Sequence, residues 1–390
     1  MEFIKKIGKS ENGSITVYVL STLMVVLLVT TTIYVGLRNK TTTQIKQMDK
    51  INKEYNVTEN DMQEAYDKAI LETLESVKGT ETTNTTVKDN LGNKVVVPAG
   101  FKVINPTENV TNGIVVEDVT HEATKGSQFV WIPVGDVIKD SAGNKETITL
   151  RRYVFNADGS VNTELSKTEP GEQIQPSGYS NYFTEGLKDS TTSNTHAKDI
   201  EDFKNKVNNI THGYYIGRYE ARDKDATKTR TRSSSKTNQV VCTANNYVYN
   251  YITQYQAAEL SRGMYSSDSN FESDLMNSYA WDTAIVFLQK FDNRANKTKP
   301  YSQQNSLNDS LASQGTNNLS DASKKDVICN VYDMASNCVE WTTETSTNSN
   351  GPCTRRGGYC FYSRGCTSTR DSFGTTISYT GISFRTLLYM

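Results

Sequence analysis

Hydrophobic positions divide the chain into three parts. Residues 15–37 form one uncharged apolar run, residues 41–78 place apolar side chains at steps of three and four, and later apolar segments are short. A helix over the first run would be roughly 35 Å long, enough to cross a bilayer core of about 30 Å. The run is too long for a signal peptide, and no small-residue cleavage site follows it, so the pattern favours a retained membrane helix.

The regular spacing that follows predicts a helical stalk over residues 38–78. A Thr-rich polar segment predicts a linker at 79–87. Positive residues flank both ends of the apolar run, so the polar bulk downstream decides the orientation, with residues 1–14 in the cytoplasm. The sequence thus predicts a single-pass protein of the cell membrane with an extracellular C-terminal part. The stalk would be a simple spacer or a surface for self-association.

The remaining residues, 88–390, predict an α+β domain with many loops. Predicted strands lie at Lys94–Val97, Gly113–Val116, Phe129–Ile132 and Gly213–Arg222, and predicted helices at 200–207, 252–262 and 275–290.

Composition narrows the class of protein. Hydrophobic residues make up only 36% of the chain and the mean hydropathy is −0.59, which favours a loop-rich extracellular protein. The net charge of −2, without a concentrated basic face, gives no argument for a nucleic-acid partner. The three histidines are far apart, so a histidine-based zinc site is not expected. None of the six cysteines has CxxC spacing, although outside the cell they could form disulfides.

The run from Tyr359 to Ser383 has an unusual composition. It is rich in Tyr, Phe, Ser, Thr, Arg and Gly, and it contains no Lys, Glu, Gln, Met or Trp. Aromatic side chains offer rigid contact area, and hydroxyl residues and glycine offer adaptable hydrogen bonding. The composition therefore indicates a contact surface.

Six motifs occur in an order that resembles the formylglycine-generating, sulfatase-modifying factor family, whose fold is an elaborated C-type-lectin-like fold. The resemblance implies such a domain over residues 88–390. The motifs are Phe129–Gly135, Gly213–Glu220, Tyr279–Ala284, Tyr332–Trp341, Arg356–Gly358 and Phe384–Arg385.

The cysteines depart from the family's catalytic pattern. In catalytic members the first copper-binding cysteine stands further from the double glycine and nearer to the second cysteine than Cys360 does here. Phe361 stands where a histidine is common. Because a thiolate pair needs correct geometry to ligate a metal, we expect a non-enzyme that binds no copper. An oxidase acting on a sulfatase cysteine is the alternative.

Asn337 and Glu340 resemble the family segment that contributes a structural calcium site. Their side-chain oxygens are of the type that calcium prefers. It is equally open that Glu340 pairs with an arginine and that Asn337 caps a turn.

The C-terminal run also resembles the variable proteins of diversity-generating retroelements. Adenine-directed mutagenesis of AAC or AAT codons in those genes never yields Lys, Glu, Gln, Met or Trp, and Tyr359–Ser383 obeys that exclusion. The resemblance implies a variable region at 337–385, in which Arg356, Gly357, Gly358 and Arg385 are fixed. An ordinary loop region of biased composition is the alternative.

The sequence thus predicts a receptor-like or adhesin-like surface protein whose ligand is a protein or a glycan. A second alternative is a minor pilin, because Gly13–Ser14 resembles a prepilin processing site, although Tyr18 replaces the usual acidic residue. The predicted ligand contacts are Tyr359, Cys360, Tyr362, Arg364, Cys366, Thr367, Thr369, Asp371, Phe373, Thr375 and Tyr379.

Overall fold

The computed structural model divides the chain into two compact units, Met1–Leu71 and Glu72–Met390. All elements described below belong to the second unit. The predicted stalk up to residue 71 and the predicted processing site at Gly13–Ser14 lie outside the described residues. The structure describes residues 72–188, 194–195, 200–224, 239–244, 247–295, 297–305, 326–359 and 365–390, together with Leu23 and Met24.

The predicted membrane location needs correction. Within the part of the chain that the structure describes, no helix combines the length and the apolar character needed to span a bilayer. A single-pass membrane protein is therefore not supported, and that prediction is wrong on this finding. The predicted span itself, 15–37, lies outside the described residues apart from the helical Leu23 and Met24.

The second unit is mostly β with a few helices, which confirms the coarser part of the predicted fold class. The strands of its N-terminal half are β1 (Thr85–Lys88), β2 (Lys94–Val97), β3 (Phe101–Val103), β4 (Val115–Asp118), β5 (Gln128–Pro133), β6 (Gly135–Ile138), β7 (Lys145–Ile148), β8 (Arg152–Phe155), β9 (Val161–Lys167), β10 (Phe183–Glu185), β11 (Leu187–Lys188) and β12 (Asn194–Thr195). The later strands are β13 (Gly213–Gly217), β14 (Arg222–Asp223), β15 (Val240–Val241), β16 (Glu272–Leu275), β17 (Val327–Ile328), β18 (Val331–Tyr332), β19 (Val339–Ser346), β20 (Cys353–Arg356), β21 (Arg370–Phe373), β22 (Ile382–Phe384) and β23 (Thr386–Tyr389). The α-helices are α1 (Ile200–Asn205), α2 (Gln254–Gly263) and α3 (Ser278–Lys290), with shorter helical turns at Leu74–Ser76, Val110–Asn112, Lys206–Thr211 and Tyr301–Gln303.

Two sheets organise the unit. The larger has six antiparallel strands in the order β16-β23-β13-β5-β4-β3. The smaller runs β10-β19-β20-β21, and β22 pairs in parallel with the start of β19. The chain leaves the smaller sheet at β22 and enters the larger one at β23, with Arg385 between them. Because of this crossing, the C-terminal stretch, residues 353–390, contributes strands to both sheets.

Helix α3 forms part of the main core. Its residues 278–288 are all buried, and they include the polar Asp282 and Thr283. The Asn277 side chain caps the helix by accepting a hydrogen bond from the Ala280 amide at 2.8 Å. The indole of Trp281 donates to the Thr367 carbonyl at 3.0 Å, so this helix also contacts the C-terminal stretch.

The boundary of the globular unit lies earlier than the predicted linker at 79–87. Leu74 and Val77 are buried in the main core, and Thr85–Lys88 pairs with β2. The pattern taken as the end of an amphipathic stalk is therefore explained by packing of this segment onto the domain.

Candidate ligand-binding face

A buried charge cluster holds strands β20 and β21 in place. Arg356 and Arg370 are directly opposed across the two strands, and both side chains are almost fully buried. The Arg356 guanidinium lies 2.5 Å from Asp282 and 3.1 Å from Glu344. Arg370 lies 2.8 Å from Glu344 and also contacts Asp282. These four residues, which we call the buried charge cluster, link the hairpin to α3 and β19.

The carboxylates of the buried charge cluster favour the charged form of Arg370. Burial alone would lower the pKa of Arg370, but the charges of Asp282 and Glu344 outweigh it and raise that pKa. Two arginines facing two carboxylates neutralise each other, as buried charges must. The hairpin backbone is therefore fixed from its inner side.

A second ion pair fixes the end of the stretch. Arg385, which is fully buried, lies 2.7 Å from Glu340 and donates to the carbonyl oxygens of Gly217 and Tyr332 at 2.7 and 2.8 Å. Both partners of this pair were singled out from sequence, Arg385 as fixed scaffold and Glu340 as a calcium ligand. In the structure they bind each other.

Asn337 lies next to this pair, with its amide donating to Glu220. Glu220 also accepts from the Cys338 amide at 3.0 Å. Burial, together with the negative charges of Glu340 and Asp333, raises the pKa of Glu220 well above its usual range. Among the described residues, no group of three or more His, Cys, Asp or Glu side chains could hold a metal ion. Calcium binding at Asn337 and Glu340 stays a prediction.

The double glycine after β20 is required by a close approach of two backbones. A Cβ at Gly358 would lie 1.9 Å from the Ala335 carbonyl oxygen, which no side chain can accommodate without movement. Gly357 has a φ of +88°, a conformation that other residues rarely adopt.

The opposite side of the same strands carries a partly buried aromatic and polar surface. We call this surface, formed by Arg355, Asp371, Phe373 and the following Tyr379, the outer face. Phe373 and Tyr379 also pack against a second hydrophobic cluster that includes the buried Trp341 and Ile382. Arg355 pairs with Asp371 at 2.6 Å, and its guanidinium lies 3.6 Å from the centre of the Phe373 ring. It also donates to the Tyr379 hydroxyl. The side chain of Asp371 is 45% exposed, so this end of the face is open to solvent.

The remaining predicted contacts have different positions. Tyr359 is buried, with its ring against Gly381, and Thr367 is fully buried. Cys366 is half-buried, with its sulfur 3.4 Å from the Thr369 hydroxyl, and that hydroxyl accepts from the Cys366 amide at 2.7 Å. Cys360, Tyr362 and Arg364 lie outside the described residues. The outer face therefore contains three of the predicted contacts, Asp371, Phe373 and Tyr379.

The sequence did not indicate the roles of Arg370 and Arg355. Arg370 falls within the run Tyr359–Ser383 without being a predicted ligand contact, and the structure buries it. Arg355 precedes that run. The two-residue period of a strand could have indicated Arg355, because a fixed inward Arg356 places Arg355 outward. Tyr182 is 44% exposed, and its amide donates to the Thr347 hydroxyl at 3.0 Å. It precedes β10, which lies on the side of β19 opposite to β20.

Comparison with known proteins leaves the family open. No protein-family model and no curated protein matches this chain. Among solved structures it is similar to PvdO from Pseudomonas aeruginosa, with 10% identity over 57% of this chain and 100% of that one, at a TM-score of 0.28. It is also similar to Treponema denticola variable protein 1, with 11% identity, 56% and 99% coverage and a TM-score of 0.25. The Major Tropism Determinant M1 variant matches with 11% identity, 79% and 81% coverage and a TM-score of 0.26. Likenesses this weak establish neither a family nor a function.

Proposed function

We propose that this chain is a ligand-binding protein whose ligand contacts the outer face. One observation supports this most. Arg355, Asp371 and Phe373 stand on two strands whose adjacent residues, Arg356 and Arg370, are fixed in the buried charge cluster, and the Asp371 side chain is 45% exposed. A surface mounted on a rigid base loses less conformational entropy when a ligand binds.

We infer that the domain has a C-type-lectin-like fold and that it binds rather than catalyses. The order of the six sequence motifs supports the fold, and the mostly β architecture is compatible with it. The spacing of Cys360 and Cys366, which departs from the catalytic pattern, supports binding. Incubation of the purified protein with copper and a cysteine-containing sulfatase peptide tests this, because conversion of the cysteine to an aldehyde would contradict it.

We further propose that the outer face is diversified. The exclusion of Lys, Glu, Gln, Met and Trp from Tyr359–Ser383 supports this. We expect a reverse transcriptase and a near-copy repeat beside the gene, and variation among copies at Asp371, Phe373 and Tyr379 but not at Arg370. Equal variation at Arg370, or the absence of both genetic elements from related genomes, would contradict the proposal.

Binding can be tested with a glycan array and an array of surface proteins probed in parallel with the full chain. We expect a ligand on one of the two arrays, and the array that gives it shows whether the ligand is a glycan or a protein. Replacing Asp371, Phe373 and Tyr379 together by serine should weaken that binding by about tenfold or more, because aromatic anchors dominate interface energy. Ile210→Ser, at an exposed apolar residue far from the hairpin in sequence, is the control and should bind like wild type. Equal binding by the triple variant would contradict the proposed face.

A further inference from the structure

Arg355 contacts all three predicted ligand residues of the outer face at once. Its Nη2 and Nε lie 2.6 and 3.2 Å from one carboxylate oxygen of Asp371. Its guanidinium carbon lies 3.6 Å from the centre of the Phe373 ring, and its Nη1 donates to the Tyr379 hydroxyl. The rings of Phe373 and Tyr379 are 6.5 Å apart, so the arginine bridges them.

The position of Arg355 is set by residues outside the contact run. It lies on β20, directly opposite Asp371, and precedes Arg356 of the buried charge cluster. Its side chain is only 12% exposed, whereas that of Asp371 is 45% exposed. The arginine therefore forms the floor of the outer face, and the residues of the run lie over it.

A guanidinium group can interact with several different types of side chain. The group is planar, always charged, and carries five donors in a fixed fork. Its flat side stacks on an aromatic ring, and its edges donate to a carboxylate or a hydroxyl oxygen. Tyr, Phe, Ser, Thr and Asp, which all occur in the run, can each use one of these modes. A lysine ammonium cannot stack and donate in this way.

We propose that Arg355 is a positioning residue that orients whichever side chains occupy positions 371, 373 and 379, so that the outer face can change while its base stays the same. This inference rests on the proposed function of the outer face. It differs from the simpler case of an isolated Arg355–Asp371 surface ion pair, which would contribute little and would involve one residue type only.

Double-mutant cycles on the full chain test the inference. Arg355, Arg355→Lys and Arg355→Met are each combined with Asp371→Asn and Asp371→Tyr, with Phe373→Tyr and Phe373→Ser, and with Tyr379→Phe and Tyr379→Ser. Unfolding is followed in urea, which does not screen charge. We expect favourable coupling to Arg355, about threefold or more in the unfolding equilibrium constant, for more than one residue type at each position. The coupling should be lost with lysine as well as with methionine.

Orientation is read separately by ¹⁹F NMR of the protein labelled with fluorotyrosine, in which Tyr379→Phe assigns the Tyr379 signal. Arg355→Met should shift that signal. Arg294→Met is the matched control, because Arg294 pairs with Asp292 at 2.8 Å and lies 5.5 Å over the Tyr301 ring. It should leave the Tyr379 signal unchanged.

Coupling confined to Asp371, full retention of coupling in Arg355→Lys, or an unchanged Tyr379 signal in Arg355→Met would each overturn the inference. No ligand enters these measurements. A failure here is therefore distinct from a failure to find binding on the arrays.

Discussion

At the scale of single residues, two buried arginines anchor strands β20 and β21 to the rest of the domain. Arg356 and Arg370 each contact both Asp282 and Glu344, so removing one arginine leaves two carboxylates short of a partner in the interior. A buried charge without its partner is strongly destabilising, whereas the same loss at the surface costs little.

We therefore expect Arg356→Ala to lower the free energy of unfolding by about 3–5 kcal/mol. Lys139→Ala breaks the exposed pair with Glu146 and should cost no more than about 1 kcal/mol. Urea unfolding of both variants measures the difference. A cost at Arg356 as small as that at Lys139 would contradict the structural role of the buried charge cluster.

Glu185 predicts an unusual dependence of stability on pH. Burial, together with the charge of Glu344, raises the pKa of Glu185 in the folded protein. The folded state then holds this proton more tightly than the unfolded state does. Its contribution to stability is fully present below the unfolded pKa, and it is lost as the pH rises through the folded pKa.

Glu185→Gln should remove this contribution. The amide can still accept from the Ser278 amide and can donate to the Thr343 hydroxyl, which now lies 2.7 Å from Glu185. We expect unfolding free energies measured from pH 4 to pH 8 to fall less steeply in the variant, and at pH 8 to be equal to or above those of wild type. If the unfolding free energy of the variant changes with pH as steeply as that of wild type, Glu185 is not the cause of the pH dependence.

At the scale of elements, the turn after β20 depends on close backbone contact. A Cβ at Gly358 would meet the Ala335 carbonyl, whereas a Cβ at Gly263, the last residue of α2, would meet no atom within 4 Å. The turn therefore tolerates no side chain, and the end of the helix does.

Gly358→Ala should destabilise the protein by about 1–3 kcal/mol through overpacking. Gly263→Ala should be neutral or stabilising by up to about 1 kcal/mol, because alanine favours the helix. Thermal unfolding of the two variants compares the same substitution in two settings. Equal melting temperatures of the two variants would contradict the close approach of the Gly358 and Ala335 backbones.

Element prediction from sequence succeeded where the local pattern was sufficient. The strand at Lys94–Val97 has its predicted bounds, and Phe129–Ile132 lies within β5. The helix predicted at 275–290 begins at Ser278, because Glu272–Leu275 forms β16 against the distant β23. That pairing depends on a strand at the end of the chain, so no local period could reveal it.

At the scale of the whole molecule, strands β20 and β21 have an inner side fixed by buried ion pairs and an outer side that is partly exposed. On the outer side, Phe373 and Tyr379 lie at the edge of a second hydrophobic cluster. Composition marked the C-terminal stretch, and the motifs marked Arg356 and Arg385 as fixed. Composition could not place Arg370 in the interior or Arg355 beneath the face, because both assignments depend on how β20 and β21 pair. The segment at 72–87 was likewise misassigned, since its packing partners lie far along the chain.

One mutational scan of residues 353–385 tests most directly whether the outer face binds ligand independently of the buried inner side. The variants are sorted once for folding and once for binding to the ligand found on the arrays. Substitutions at Asp371, Phe373 and Tyr379 should abolish binding and keep folding. Substitutions at Arg356, Gly358, Arg370 and Arg385 should lower folding and binding together. If every substitution that removes binding also removes folding, the outer face is not a separate binding surface.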